Sequence, residues 1–154
     1  MAEQDTKLDD IAGRLIAAYD AAALLAPITE GRPDFSVEEA YAVLAEIEER
    51  RRAQGWQPVG RKIGFTNRTI WPRYGVFQPM WAHVWAHTVH QAKGGKARLA
   101  LHGFVQPRLE PEVVFKLSGP LPVTEDPLEI LACVESIAPG FEIVQSHFPD
   151  WRFK

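Results

Sequence analysis

Residues 106–115, Gln-Pro-Arg-Leu-Glu-Pro-Glu-Val-Val-Phe, place two glutamates one residue apart in a run of strand formers. The β-branched and aromatic residues between Leu109 and Leu117 predict a strand, along which side chains alternate between faces. Glu110 and Glu112 then share one face, and Pro111 and Val113 point to the other. Two neighbouring carboxylates are costly in an apolar setting unless a cation joins them. A third, Glu142, sits in a second strand-like run, Phe141-Glu142-Ile143-Val144. Three oxygen donors suit a hard cation such as Mg²⁺ or Mn²⁺, which leaves coordination positions to water and to a small oxygen-rich anion. The competing reading makes Glu110 and Glu112 exposed strand residues and Glu142 an ion-pair partner, for instance of Arg108.

Outward from this stretch, the N-terminal segment repeats apolar residues at helical spacing from Leu8 through Leu15 and Tyr19 to Ala23, and stops before Pro27. A second helix begins at Ser36, with Glu39 three residues on as a capping box, and runs along Ala40, Val43, Leu44 and Ile47 to Gly55. The segment Gly60–Asn67 reads as a strand and turn, followed by a Trp- and Pro-rich passage of loop or irregular β character up to Trp85. Leu99–Val105 and Leu109–Leu117 are strand candidates. Asp126-Pro127 opens a third helix, with Ile130, Leu131, Val134 and Ile137 on its apolar side and Pro139-Gly140 at its end. Cys133 falls inside that helix, where buried and inert is its default. The fold class is α+β, with a helical region at 1–57 and a β region at 58–154.

The 154 residues are 46% hydrophobic and 24% charged, enough for one domain with a core, and the net charge of -3 gives no electrostatic footprint for nucleic acid. The arginines at 50–52 close a helix, where cations offset its dipole. With one cysteine, no signal pattern and no apolar run of membrane-spanning length, the sequence predicts a reducing, cytoplasmic setting without a membrane partner. His83, His87 and His90 would align as a zinc-like cluster on a helix. Val84, Trp85, Thr88 and Val89 favour a strand instead, which places His90 opposite the other two. Lys93-Gly94-Gly95-Lys96 lacks the spacing of a phosphate loop and reads as a hairpin turn.

Four blocks in order, RKIGFTN, YGVFQP, QPRLEPEVVF and ESIAPGFEIVQSHFPDW, resemble the 2-keto-4-pentenoate hydratase branch of the fumarylacetoacetate hydrolase superfamily. The resemblance implies a mixed β fold preceded by helices, with Mg²⁺ or Mn²⁺ on Glu110, Glu112 and Glu142 and Lys62 as the catalytic lysine. It implies a 2-oxo or 2-hydroxy dienoic acid from aromatic catabolism as substrate. Its chemistry is hydration of 2-hydroxypenta-2,4-dienoate, with decarboxylation of 4-oxalocrotonate as the alternative. The chain departs from the family pattern in two ways. Met80 stands where the family carries an acid after the QP pair, and Phe77 occupies another position that is often acidic. The sequence stops at Lys154, where the family continues into further strands. A shortened chain with an incomplete β fold is therefore expected to have little or no activity, and its uncovered strands favour a homo-oligomer.

Overall fold

The computed structural model describes residues 2–152, with side chains from Leu8 onward. The chain forms two compact units, Met1–Gly103 with His147–Lys154, and Phe104–Ser146.

In the first unit, helix α1 (Ala2–Asp20) packs against α3 (Val37–Ala53), with a short helix α2 (Ile28–Gly31) between them in sequence. Ile11, Ala12 and Val43 form the buried centre, flanked by Leu8, Leu15, Ile28, Phe35 and Ile47. The capping box at α3 is present: the Ser36 hydroxyl accepts from Glu39 N, and the Glu39 carboxylate accepts from Ser36 N. Gly55, at φ 89°, follows the end of α3 in the left-handed conformation that glycine tolerates. Arg51 ties the two helices together. It is 4% exposed, lies 2.5 Å from Asp20 Oδ1, and stacks its guanidinium over Trp56 at 4.3 Å and Tyr19 at 5.3 Å.

Strand β1 (Pro58–Gly64) pairs antiparallel with β2 (Met80–Trp85), joined by a 3₁₀ turn and a short helix α4 (Trp71–Tyr74). The passage read as loop or irregular β thus resolves into two helical turns and a strand. Lys93-Gly94-Gly95-Lys96 is the expected tight turn: Lys93 and Lys96 exchange backbone hydrogen bonds, and both glycines have positive φ.

The second unit is an antiparallel hairpin of β3 (Arg108–Leu117) and β4 (Val134–Val144), connected through helix α5 (Pro127–Ala132). The start of α5 follows the sequence reading, with Pro127 in the first turn and Asp126 Oδ1 accepting from Leu128 N at 2.8 Å. Its end does not. The helix stops at Ala132, and Val134–Pro139, expected to be helical, form the first half of β4. The apolar positions 130, 131, 134 and 137 fit a helix, but 137, 139, 141 and 143 alternate as a strand. The partners offered by Phe115, Val114 and Val113 decide between these patterns. Cys133 is accordingly a half-buried residue at the C-terminal cap rather than a helix-interior one. The strand expected at Leu99–Val105 is also absent. That segment has no ladder partner, and Val105 N instead donates to the Gln145 side chain at 2.9 Å.

Candidate metal centre

The register of β3 and β4 assembles the carboxylates. Glu110 lies directly opposite Glu142, and Glu112 lies opposite Gly140. Cross-strand partners share a face, and so do residues two apart, so all three glutamates project to the same side. Each offers an oxygen within 4.8 Å of the others, with Glu110 exposed and Glu112 and Glu142 half-buried. Two ion–oxygen bonds of about 2.0–2.6 Å span a gap of that size, so one hard cation can touch all three. The donor set is carboxylate oxygen alone, which suits Mg²⁺, Mn²⁺ or Ca²⁺ rather than a soft metal.

Gly140 has a structural part in this arrangement. A Cβ built there would lie 2.7 Å from Val114 Cγ2, so the position facing Glu112 has to remain without a side chain if Val114 keeps its place. Arg108 is on the carboxylate face too, one pleat before Glu110 and diagonal to Glu142 across the register pair Arg108 and Val144. Further along the same face, Lys116 is paired with Glu135.

Lys62 belongs to the first unit, in β1, where it is half-buried opposite Ala82. Met80 lies opposite Gly64 at the next position of the same parity, so Lys62 and Met80 share one face of the β1–β2 hairpin. The other face carries Arg61, Ile63, Trp81 and His83. There the Arg61 guanidinium stacks over Trp81 at 4.4 Å, and His83 Nδ1 shares a hydrogen bond with Glu48 of α3. His87 packs its ring edge-on against Trp56 at 4.2 Å. Among the described residues, the three glutamates lie close enough together to hold a metal ion, and the histidines form no such group. The structural role of Gly140 and the shared face of Lys62 and Met80 were missed by sequence reasoning, because both depend on strand register.

No family model matches the chain. Among curated proteins, it is 35% identical over 145 residues to a 2-hydroxyhexa-2,4-dienoate hydratase of Comamonas testosteroni, covering 92% of this chain and 53% of that protein. It is 32% identical over 153 residues to a 2-hydroxypent-2,4-dienoate hydratase of Pseudomonas putida, covering 97% of this chain and 67% of that one. The chain belongs to the 2-keto-4-pentenoate hydratase family. A 4-oxalocrotonate decarboxylase of a Pseudomonas species is 33% identical over 96% of this chain and 56% of its own length. The fold matches that of 4-oxalocrotonate decarboxylase over part of that protein's length. The solved structure of 4-oxalocrotonate decarboxylase from Pseudomonas putida G7, complexed with magnesium and adipate, superimposes with a TM-score of 0.82 at 21% identity, covering 99% of this chain and 56% of that one. The chain spans between about half and two thirds of the length of these relatives.

Proposed function

We propose that Glu110, Glu112 and Glu142 hold Mg²⁺ or Mn²⁺ and that the protein belongs to the hydration of 2-hydroxypenta-2,4-dienoate-type acids in the breakdown of aromatic compounds. The observation that carries this reading is the set of three carboxylate oxygens within 4.8 Å, in a chain whose relatives are named as such hydratases. A divalent cation, when bound, supplies Lewis acidity to the C1 carboxylate and C2 oxygen of the substrate. The glutamates would hold that cation, and without it their charge would repel the carboxylate end of the dienoate. Lys62 handles the proton of the C2 hydroxyl as the dienol becomes a ketone and C5 takes up a proton. Water then adds across C3 and C4, its oxygen to C4, giving 4-hydroxy-2-oxopentanoate. Met80, on the face of Lys62, cannot exchange a proton as a carboxylate would, so water addition is slow.

Decarboxylation of 4-oxalocrotonate is the second reading, favoured by the relative of that name. It would use the same carboxylate cluster and Lys62. In either case we place the protein in the cytoplasm as a homo-oligomer, with residues 1–57 as a helical region and 58–154 as the β region that carries the chemistry.

The test follows loss of the dienoate's ultraviolet absorbance with Mn²⁺ present. Turnover below the ordinary range of about 1–10³ per second is expected, abolished by Lys62→Met and raised by Met80→Asp. Turnover that persists unchanged in chelator, or in Lys62→Met, contradicts the proposal. Carbon dioxide release from 4-oxalocrotonate without dienoate loss favours the second reading.

A further inference from the structure

The β3–β4 hairpin brings the three glutamates together in one register. A slip by one residue turns a whole strand's side chains to the opposite face, and a slip by two moves Glu142 about 7 Å along β3, more than two ion–oxygen bonds span. The connection through α5 is too long to set register as a tight turn does, and the far end of the ladder is irregular, with a register shift between Lys116 and Leu117. At the other end, the ladder stops at Arg108 and Val144, close to Glu110 and Glu142, and Pro107 has no N–H to extend it. Beyond Pro107, side-chain amides take over. Gln145 Oε1 accepts from Val105 N at 2.9 Å, Gln106 Nε2 donates to Ser146 O at 2.9 Å, and Ser146 N donates to Val105 O at 3.3 Å. Val105 and Ser146 are buried. Gln106 has a φ of 50°, although a residue before proline is ordinarily extended. Such a conformation persists only where its surroundings over-determine it.

We propose that Gln106 and Gln145 are positioning residues of the cation site, whose amides hold β3 and β4 in the register that sets Glu110 opposite Glu142. Neither amide needs to touch the ion. They stand in for the ladder bond that Pro107 cannot make, and they join the two strands at the end of the hairpin nearest the carboxylates. All of these residues belong to the second unit. Because Val105 is buried, loss of Gln145 Oε1 leaves its N–H short of an acceptor, and the strands regain one by shifting against each other. This inference rests on the reading of the three glutamates as cation ligands and adds the residues that place them.

Titration of the full chain with Mn²⁺, read by calorimetry and by the electron paramagnetic resonance spectrum of the bound ion, tests it. Gln145→Met has nearly the length of glutamine but no oxygen to accept from Val105 N. It should weaken Mn²⁺ binding about tenfold and broaden the spectrum, while one Mn²⁺ per chain still binds at saturation. Gln145→Glu keeps an accepting oxygen, and in high salt, where its added charge is screened, it should bind within about threefold of the wild type. Should Gln145→Met fail to fold, Gln106→Asn carries the test, because asparagine tolerates the left-handed backbone but falls one methylene short of Ser146 O. Binding about threefold weaker is expected there. A wild type that binds no Mn²⁺ overturns the cation-site reading and this inference together. Where the wild type binds, unchanged affinity and spectrum in folded Gln145→Met or Gln106→Asn overturn the positioning role and leave the glutamates as ligands. So does a smaller fraction of binding chains that keep the wild-type affinity and spectrum, the mark of a role in stability alone.

Discussion

The two units of the molecule solve the problem of apolar surface differently. The first buries Ile11, Ala12 and Val43 between two helices and links that pair through Arg51, whose charge is matched by Asp20 and whose plane rests on Trp56 and Tyr19. The second has no comparable centre. Its hairpin gives one face to three carboxylates and leaves the other apolar and open. Stability in the first unit therefore depends on internal packing. In the second, a cation bound by the three carboxylates is expected to add stability by offsetting their mutual repulsion.

Substitutions that separate the two units sharpen this contrast. Arg51→Ala has the largest expected effect on folding, about 2–4 kcal/mol, because it removes an enclosed guanidinium, two stacked rings and the partner of Asp20. Chemical denaturation should show that loss while Mn²⁺ affinity remains within a factor of two. Gly140→Val comes next, at about 1–3 kcal/mol, because its Cβ collides with Val114 Cγ2. It should lower both hairpin stability and Mn²⁺ affinity, since Val114 and Glu112 share the strand that has to shift. The smallest effect is expected from Arg108→Gln. The guanidinium lies one pleat from Glu110, so its removal takes a competing cation away from the cluster and should tighten Mn²⁺ binding about two- to fivefold at low salt. Arg108→Lys should restore the wild-type value. A larger loss of metal affinity in Arg51→Ala than in Gly140→Val would break the contrast between the units.

Much of the candidate site was legible because it depends on local rules. The period of two along β3 puts Glu110 beside Glu112 whatever else the chain does. Ser36 with Glu39 fixes the start of α3 within four residues, and the Gly94-Gly95 turn needs only its own backbone freedom. Features that depend on pairing were less accessible. Glu142 could be named as a ligand from the family pattern, but its position directly across from Glu110 is a matter of register between two residues more than thirty positions apart in the chain. The first half of β4 was read as helix for the same reason. Residues 134–139 carry spacing compatible with both structures, and contact with β3 selects the strand. Leu99–Val105 shows the converse, a segment with strand composition and no partner.

The central claim is that Glu110, Glu112 and Glu142 act together as a cation site, and titration of the full chain with Mn²⁺ in a calorimeter tests it most directly. The wild type is expected to bind one Mn²⁺ per chain, with affinity falling at least a hundredfold in the Glu110→Ala, Glu112→Ala double variant, because a hard cation loses two of three anionic ligands. Equal binding by the wild type and a folded double variant, or no binding by the wild type, would contradict the account.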